Sequence, residues 1–326
     1  MSDLKKQILS AVEDDLQAIE QELVTNLTPH LALVRKVASH ILFSGGKRLR
    51  PLLMVLAARI CNYQGNYDKT FSTIFEYLHA ATLLHDDLID GARLRRGRLV
   101  AHSVWDNPTA VLVGDFLLAR GLAIAAETGL PQVIKVIAHI TEEMSQGEIH
   151  QLQRKKAFDL TEAEYMEIIR RKTAVLFQGA CRISALLAEA TPVMEAALAD
   201  FGLHLGMAFQ MADDLLDYTT DSAVLGKQVG ADLKEGKLTL PVIHALANAE
   251  NGVREEMIAV IGDPGFSTTQ FEKLVQQLAS LGGIDYTWRL AHQHIQKAKD
   301  ALHLFPATET RQIMLDIADY ALSRKL

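Results

Sequence analysis

The chain has 326 residues, of which 49% are hydrophobic and 22% are charged, a composition typical of globular domains and unlike that of disordered chains. Its formal net charge of −7 argues against nucleic-acid binding through overall charge, because such proteins carry a basic surplus that neutralises phosphates. The two cysteines, Cys61 and Cys181, lie far apart in apolar stretches, which favours buried thiols in a reducing compartment over a disulfide framework.

The N-terminal residues 1–22 are rich in Asp, Glu, Lys and Gln and lack the apolar core of a signal peptide. No uninterrupted apolar run reaches the roughly 18 residues expected of a membrane span. We therefore expect a cytoplasmic protein.

Apolar residues recur at helical spacing throughout the chain, and no stretch shows the alternation expected of a strand. To within a few residues the pattern predicts helices over 4–23, 31–43, 50–61, 71–90, 109–127, 132–154, 193–217, 239–248, 286–303 and 309–324. Two further helices carry start signals: one begins after Thr161 and runs through Arg171, and the other begins after Ser267. No low-complexity linker separates them, so one large helical bundle is expected.

The two start signals are capping boxes flanked by hydrophobic staples, in which apolar residues on either side of the cap pack together. The box pairs are Ser267 with Gln270 and Thr161 with Glu164, and the staple pairs are Phe266 with Phe271 and Leu160 with Tyr165. After Ser267, an apolar stripe along one helix face is formed by Phe271, Leu274, Val275, Leu278 and Leu281.

Two clusters of three aspartates follow apolar helices. The first is Asp86, Asp87 and Asp90, and the second is Asp213, Asp214 and Asp217. In each cluster the first and last aspartates are four residues apart, so both project from one helix face. Carboxylates this close repel one another unless a cation offsets their charge, and hard oxygen ligands favour Mg²⁺. A single cluster would fit a solvated helix end equally well. The repeated spacing favours a functional site, although an internal duplication would also produce it.

Short basic loops accompany both clusters. The glycine-rich stretch 45–51 contains three cations and leads into a helix, whose N-terminus favours an anion. Four arginines lie in residues 93–98, and two Gly-Lys pairs occupy 226–227 and 236–237. Any one of these cations could form a surface ion pair of little energetic consequence. Together, metal-binding acids and phosphate-binding bases around an aliphatic interior predict a ligand with a diphosphate head and a hydrocarbon tail.

The order of these motifs resembles that of the trans-isoprenyl diphosphate synthases, and especially the bacterial long-chain polyprenyl diphosphate synthases. The matching stretches run from about Gly45 to Pro241 and comprise both D-D-x-x-D motifs together with G-G-K-R-x-R-P, L-R-R-G, Lys-Thr, Phe-Gln and G-K-x-T. The resemblance implies an all-α fold of the isoprenoid synthase type, a single domain over residues 1–326 with a central elongated cavity. It also implies a homodimer.

The resemblance further implies roles for individual residues. Direct Mg²⁺ ligands would be Asp86, Asp90 and Asp213, with Asp87, Asp214 and Asp217 supporting a shell of about three ions once substrate is bound. Isopentenyl diphosphate would contact Lys47, Arg50, His79 and Arg96. An allylic diphosphate such as farnesyl diphosphate would contact Arg95, Lys172, Thr173, Gln210, Lys227 and Lys237. Phe209, Gln210 and Thr173 would shield or stabilise the allylic cation.

In this family the allylic carbon–oxygen bond ionises, isopentenyl diphosphate attacks the cation, and proton loss gives a product one isoprene unit longer. The side chains one turn before the first cluster, Ala81 and Thr82, are small, whereas synthases that stop early resemble one another in having a bulky aromatic there. Tyr77 and Leu78 lie deeper and would form part of a floor, or belong to the core. This implies a product of about seven to nine units, with octaprenyl favoured.

Three alternatives remain open. A shorter-chain synthase making farnesyl or geranylgeranyl diphosphate differs only in where elongation stops. A non-catalytic regulatory subunit is expected to have lost metal carboxylates, and a terpene cyclase to replace the second aspartate motif; this chain retains all six aspartates. The sequence does not identify the allylic starter, the use of the product, or a transient membrane contact through that product.

Overall fold

The computed structural model describes residues 3–219 and 230–323. Regular structure in these residues is almost entirely helical, so the predicted all-α fold is confirmed. The chain divides into two compact units. The first comprises residues 1–141, 176–202 and 301–317, and the second comprises residues 142–175, 203–300 and 318–326. One domain over residues 1–326 stays a prediction.

The described helices are long and joined by short loops. In chain order they are α1 (Asp3–Ala11), α2 (Glu13–Asn26), α3 (Ala32–Leu42), α4 (Leu49–Ile60), α5 (Tyr67–Ile89), α6 (Ala101–Val104), α7 (Asn107–Ala126), α8 (Pro131–Gln153), α9 (Glu162–Ile169), a π-helical segment (Arg170–Ala174), α10 (Val175–Leu187), α11 (Pro192–Thr219), α12 (Ala231–Lys234), α13 (Leu240–Asn248), α14 (Asn251–Gly262), α15 (Thr268–Ser280), α16 (Gly283–Ala301), a 3₁₀ turn (Leu302–Leu304) and α17 (Glu309–Leu322).

The first unit is organised around α5, which packs against α2, α4 and α7. Three large aromatic side chains of this helix, Phe71, Phe75 and Tyr77, have no exposed surface. Burying one such side chain stabilises a fold by roughly 1.5–3 kcal/mol, so these contacts hold α5 firmly in place. The helix thereby provides a rigid support for the aspartates in its last turns.

In the second unit, α9 continues directly into the π-helical segment. A π-helical turn inserts one extra residue into the helical hydrogen-bond pattern and is found most often at functional sites. In this chain the segment contains Lys172 and Thr173, two of the predicted substrate-binding residues. Elsewhere in the unit, α13 packs against α9 and α15.

A two-stranded antiparallel hairpin, formed by β1 (Leu94–Arg95) and β2 (Arg98–Leu99), was missed by the sequence pattern. Its two-residue turn places Arg96 at φ +52° and Gly97 at φ +75°. Positive φ at both central residues is characteristic of the type I′ turn, whose twist matches that of a hairpin. Strands of two residues are too short to show an alternating pattern, which is why periodicity does not reveal them.

Both predicted capping boxes are confirmed. In each box, the hydroxyl of the cap residue accepts a hydrogen bond from the backbone N–H of the residue three positions later. The side chain of that later residue accepts a hydrogen bond from the backbone N–H of the cap residue. The two pairs are Ser267 with Gln270 and Thr161 with Glu164. The staple at α15 is also present, because the Phe266 and Phe271 rings stack with centroids 5.8 Å apart. The equivalent contact between Leu160 and Tyr165 stays a prediction.

The single-turn helices α6 and α12 were not predicted. For the longer helices, the predicted boundaries fall within a few residues of those observed, with three differences. The helix predicted over 4–23 is interrupted at Val12, although backbone hydrogen bonds continue on both sides of this residue. The helices α10 and α14 were not predicted. Nearly every residue of α10 is buried, so it lacks the polar face that makes a helix recognisable, while α14 buries only Met257 and Ile261.

Among the described helices, α7 alone has the length and mean hydropathy that a membrane span requires. The core helices of water-soluble proteins meet the same criteria, and α7 packs extensively against α5. The helix also carries Asp115 and Arg120. The length and hydropathy of α7 are therefore only weak evidence for a membrane span. The cytoplasmic location stays a prediction.

The two cysteines are free thiols, so the absence of a disulfide is confirmed for them. Cys181 is fully buried, whereas Cys61 is only half-buried, so the predicted burial holds fully for Cys181 alone. Burial raises the pKa of the Cys61 thiol to about 11, which keeps it protonated and unreactive at neutral pH.

Candidate active site

The first aspartate cluster occupies the C-terminal turn of α5, as predicted. Asp86 and Asp90 are half-buried, and the Asp90 backbone N–H donates to the Asp86 carbonyl at 2.8 Å. Asp87 projects from another face of the helix and is only 2% exposed. The cluster thus presents two accessible carboxylates one helical turn apart and keeps the third inside the protein.

The buried carboxylate of Asp87 is held by Arg95 from the hairpin. The Arg95 Nε lies 2.9 and 3.1 Å from the two Asp87 oxygens, and a terminal nitrogen lies 2.7 Å from Oδ1. Such a charge-assisted pair offsets the cost of burying the carboxylate. The next residue along the chain, Arg96, is exposed at the tip of the turn. The hairpin therefore turns one arginine towards α5 and leaves its neighbour accessible.

The glycine-rich loop before α4 is anchored by Arg48. This buried side chain donates to Glu20 and Glu76, each at 2.6 Å, and to the Leu42 carbonyl at 2.7 Å. Its backbone adopts φ +48°. Because Arg48 points inwards, the flanking residue Lys47 is left exposed.

Two further predicted isopentenyl diphosphate residues lie in the first unit. The Arg50 guanidinium sits 4.7 Å from the centroid of the Phe177 ring, a cation–π geometry that fixes its orientation. His79 lies on α5 and is half-buried. Burial, followed by the positive charges of Arg50, Arg95 and Arg96, holds the pKa of His79 well below its usual range. The imidazole is therefore neutral at physiological pH.

The second aspartate cluster lies in the last turns of α11. Asp213 is exposed, whereas Asp214 and Asp217 are 5% and 8% exposed. Asp217 accepts hydrogen bonds from the backbone N–H groups of Ala231 and Asp232 at 3.2 and 3.1 Å, where α12 begins. Its carboxylate thus joins the end of α11 to the start of α12.

Asp214 belongs to a buried hydrogen-bond network. The Gln210 amide donates to its Oδ1 at 2.7 Å, the Tyr165 hydroxyl donates to its Oδ2 at 2.6 Å, and the Thr173 hydroxyl donates to the Gln210 Oε1 at 2.8 Å. Burial, and then the charge of Asp232, raises the pKa of Asp214 well above its usual range, while the Tyr165 and Gln210 hydrogen bonds act in the opposite direction. Three predicted site residues, Thr173, Gln210 and Asp214, are therefore in one network.

Lys172, in the π-helical segment, pairs with Glu148 of α8 and donates to Gln151 at 2.8 Å. The chain approaches α8 closely here: a Cβ at Gly147 would lie 2.8 Å from both the Arg171 Cβ and the Lys172 backbone nitrogen. The absence of a side chain at Gly147 therefore allows the π-helical segment to pack against α8.

The remaining predicted allylic-diphosphate residues are two lysines. Lys237 follows Gly236, which has φ +78°, and its Nζ lies 2.7 Å from Glu235. Lys227 falls outside the described residues. Phe209 is half-buried on α11, next to Gln210. The substrate-binding roles of these residues stay predictions.

The chain-length candidates lie in the interior part of α5. Ala81, Leu78 and Tyr77 have no exposed surface, and the Tyr77 hydroxyl donates to the Leu23 carbonyl of α2 at 2.7 Å. This bond ties Tyr77 to the protein core and favours a structural contribution from its side chain. Thr82 is half-buried, and its hydroxyl donates to the His79 carbonyl.

A model of the polyprenyl synthetase family matches residues 31–278. The chain belongs to the polyprenyl synthetase family. The predicted prenyltransferase of the polyprenyl diphosphate synthase type is thereby confirmed. The synthetase is 37% identical to the octaprenyl diphosphate synthase of Escherichia coli K12, with 95% of this chain and 96% of the relative covered. It is 38% identical to the all-trans-nonaprenyl-diphosphate synthase (geranyl-diphosphate specific) of Rhodobacter capsulatus, with coverages of 99% and 98%.

A solved structure of a polyprenyl synthase shows the same similarity. The polyprenyl synthase from Caulobacter crescentus CB15, complexed with calcium and isoprenyl diphosphate, superimposes on this synthetase with a TM-score of 0.92. The two are 37% identical, and 98% of each chain is covered.

The carboxylates of this synthetase fit the divalent metal that the family uses. The described residues contain no group of three or more His, Cys, Asp or Glu side chains able to hold a metal by themselves. Mg²⁺ suits such an incomplete set, because it usually takes one or two carboxylates and completes its shell with water and substrate phosphates. The accessible aspartates, Asp86, Asp90 and Asp213, are the three predicted as direct ligands, and the buried ones are those predicted to support them.

Sequence reasoning missed several residues that shape the site. Arg48 was counted only among the cations of the glycine-rich stretch, whereas its side chain is buried and paired with Glu20 and Glu76. Gly147 and Glu148 were given no role, and Tyr165 was considered only as part of a helix start. Their partners are distant in the chain: 49 residues separate Tyr165 from Asp214, and 28 separate Arg48 from Glu76. Local spacing carries no signal for such contacts. The capping box at Thr161 does fix the helical position of Tyr165, but it does not identify the carboxylate that the hydroxyl reaches.

Proposed function

We propose that this polyprenyl synthetase extends an allylic diphosphate with successive isopentenyl diphosphate units to a trans product of about seven to nine isoprene units, octaprenyl diphosphate being favoured. The observation that carries the product length is the small, fully buried Ala81, five residues before Asp86 on α5. A methyl side chain at this position lacks the bulk of the aromatic residue expected in synthases that stop early. Identities of 37–38% to octaprenyl and nonaprenyl synthases support the same length.

The carboxylates hold the metal in this proposal. Asp86, Asp90 and Asp213 would be the direct Mg²⁺ ligands, since their side chains are accessible. Asp87 is oriented by Arg95 and Asp214 by Gln210 and Tyr165, so these buried carboxylates act as supports. When bound, Mg²⁺ supplies positive charge that stabilises the departing pyrophosphate.

The side chains proposed to bind substrate form two groups, one for each diphosphate. Lys47, Arg50, neutral His79 and Arg96 bind isopentenyl diphosphate. Arg95, Lys172, Thr173, Gln210, Lys227 and Lys237 bind the allylic diphosphate. The exposure of Lys47 and Arg96 and the fixed orientation of Arg50 over Phe177 support the first group. For the second, a phosphate would replace Glu148 or Gln151 as the partner of Lys172.

The Thr173 hydroxyl and the Gln210 amide are oriented by their network before any substrate binds. Thr173 is 8% exposed, which indicates that water has little access to it. Fixed dipoles in a dry environment stabilise a developing cation more strongly than mobile water would. Phe209 completes this group as an apolar shield. Pyrophosphate released from the allylic substrate then takes the proton lost from the condensation product.

A homodimer is also proposed for this synthetase. The outward face of α7 supports it, because Val111, Leu112 and Leu122 are exposed by 38%, 65% and 40% in the single chain. Burying these side chains against a second copy would remove their apolar surface from water.

Product analysis tests the proposal directly. The purified protein is incubated with farnesyl diphosphate, labelled isopentenyl diphosphate and Mg²⁺, and the hydrolysed products are separated by reversed-phase chromatography. We expect a ladder that ends near the octaprenol standard and disappears with EDTA. A product that stops at three or four units would refute the chain length. No elongation with Mg²⁺, or equal elongation after chelation, would refute the mechanism.

A further inference from the structure

The phenol of Tyr165 is the feature of the second unit that the reaction scheme above leaves unused. The side chain is 3% exposed, and its hydroxyl donates to the Asp214 Oδ2 at 2.6 Å. Burial, and then the charge of Asp214, raises the pKa of Tyr165 well above its usual range, so the hydroxyl keeps its proton and remains a donor. A buried hydroxyl aimed at a buried carboxylate is a specific interaction, because packing alone would be served equally well by phenylalanine.

The two oxygens of Asp214 receive donors from different helices. Oδ1 accepts from Gln210, which lies one turn earlier on the same helix, α11, and Oδ2 accepts from Tyr165 on α9. A donor on α11 alone would let the carboxylate rotate about its side-chain torsions. The second donor fixes the plane of the carboxylate relative to an independent element.

The orientation of Asp214 determines that of Gln210. Because the Gln210 amide nitrogen donates to Asp214, its carbonyl oxygen must face the Thr173 hydroxyl, to which it is bonded at 2.8 Å. The hydrogen bonds thus run in one direction, from Thr173 to Gln210 to Asp214, and end at the carboxylate that Tyr165 holds. The N-terminus of α9 is itself fixed by its capping box, so Tyr165 is presented from a rigid turn.

We propose that Tyr165 is a positioning residue for catalysis: its hydroxyl fixes Asp214, and through Asp214 it fixes the adjacent metal ligand Asp213 and the Gln210–Thr173 pair that faces the allylic group. The inference rests on the proposed roles of Asp213, Gln210 and Thr173. It adds a residue that contacts neither substrate nor metal, yet sets how well both are bound.

The test compares two tyrosines whose hydroxyls each join α9 to another helix through a carboxylate. Tyr165→Phe removes the hydroxyl on Asp214. Tyr286→Phe is the matched control, because the Tyr286 hydroxyl also donates to a carboxylate of α9, Glu162, at 2.9 and 3.0 Å, away from the aspartate cluster. For each variant, steady-state assays measure kcat, both KM values and the Mg²⁺ concentration at half-maximal rate, and thermal melting reports folding.

We expect Tyr165→Phe to raise the half-saturating Mg²⁺ concentration and the allylic KM by about 10- to 100-fold, the loss typical when a supporting partner of a metal site is removed. The KM for isopentenyl diphosphate should stay unchanged, as should every constant of Tyr286→Phe. A uniform fall in kcat with unchanged half-saturation would overturn the inference, because that is the result of a merely structural defect.

A double-mutant comparison covers the case in which Tyr165→Phe folds poorly. In an Asp214→Ala background, Tyr165→Phe should have no further effect on Mg²⁺ dependence, because the hydroxyl acts through that carboxylate. Equal effects in both backgrounds would overturn the inference. If the unmodified protein shows no Mg²⁺-dependent condensation, the proposed function itself fails, a result distinguishable from failure of the Tyr165 assignment alone.

Discussion

At the level of single residues, the six aspartates occupy two environments. Asp86, Asp90 and Asp213 are accessible, while Asp87, Asp214 and Asp217 each have protein donors and little exposed surface. Removing a charge from the first set takes away a proposed metal ligand at an accessible position. Removing one from the second set breaks internal hydrogen bonds, which usually costs stability. The two sets should therefore respond differently to the same substitution.

Asp213→Asn should separate catalysis from stability. We expect kcat/KM to fall at least about tenfold and the half-saturating Mg²⁺ concentration to rise, because a direct ligand is lost. The free energy of unfolding without metal should change by less than about 0.5 kcal/mol, as for other exposed substitutions. Urea denaturation in EDTA measures the second quantity. Unchanged Mg²⁺ dependence would contradict the ligand assignment.

A histidine pair in the second unit predicts a pH-dependent stability. His294, 7% exposed on α16, has its Nδ1 3.0 Å from the Nδ1 of His204. Burial, followed by the nearby charges of His204 and Lys297, lowers the pKa of His294 to about 4 from 6.5. Between these two pH values the unfolded chain binds a proton that the folded protein does not. The free energy of unfolding therefore falls as pH decreases through this window.

The expected size of this effect is about 2 kcal/mol between pH 7.5 and pH 5. Urea denaturation at both pH values should show this contribution as the difference between the wild type and His294→Gln, whose side chain does not titrate. His292→Gln is the matched control for a histidine substitution on the same helix, since His292 is exposed. Equal pH dependence in wild type and His294→Gln would contradict the shifted pKa.

The aspartate clusters could be predicted from the sequence because their chemistry lies in local spacing: residues four apart on a helix share a face wherever the helix packs. The division into accessible and buried carboxylates could not be predicted in this way. It depends on Arg95 for Asp87 and on Tyr165 for Asp214, and those contacts form only when separate elements pack together.

At the level of elements, the π-helical segment positions Lys172 and Thr173, the pair proposed to bind the allylic diphosphate. Ion pairs hold its first residue, since Arg170 contacts Glu143 at 2.6 Å and Glu167 at 2.7 Å. Gly147 allows α8 to approach the segment. Helical periodicity predicted the flanking helix through Arg171, but a π turn leaves no mark in an apolar pattern. In α10 only Arg182 is exposed, so the polar face is too narrow to reveal the helix.

Gly147→Ala should therefore displace the segment. The new Cβ would lie 2.8 Å from the Lys172 backbone nitrogen, which has no flexible side-chain end to move aside. Overpacking of this kind typically costs about 1–3 kcal/mol. We expect a lower free energy of unfolding in urea and a raised allylic KM, because Lys172 and Thr173 move together.

Gly252→Ala is the control for this substitution. Gly252 lies in the first turn of α14, and nothing lies within 4 Å of its added Cβ. Alanine there should stabilise the protein by about 0.5–1 kcal/mol through helix propensity, with unchanged kinetics. If Gly147→Ala also raised the free energy of unfolding, the packing of the π-helical segment against α8 would not require a glycine at this position.

At the level of the whole molecule, the outward face of α7 predicts how two copies associate. Leu112→Glu places a charge among the exposed apolar side chains of α7, and a carboxylate buried in an interface without a partner is costly. We expect the substitution to convert a dimer to monomers. Size-exclusion chromatography with light scattering measures the change. Val193→Glu is the control, since Val193 is similarly exposed, at 64% against 65%, but lies on α11. A Leu112→Glu dimer would exclude this face as the interface.

Product length is the property of the whole molecule that is hardest to predict from the sequence, because it depends on the space left between helices. Ala81→Phe adds a bulky ring at a buried position on α5, five residues before the proposed metal ligand Asp86. We expect the product ladder from farnesyl diphosphate to end several isoprene units earlier, with Mg²⁺ dependence unchanged. Chromatography of the hydrolysed products measures the shift.

Overpacking alone could slow elongation without any specific block, so a matched substitution is needed. Ala80 is also buried, at 3% exposed, but projects from α5 about 100° around the helix from Ala81. Ala80→Phe should impose a comparable packing cost and reduce the rate while leaving the product length unchanged. Shortening by both variants would attribute the effect to general distortion of α5. Unchanged length in Ala81→Phe would mean that the hydrocarbon chain does not pass this residue, and the long-chain assignment would lose the observation that carries it.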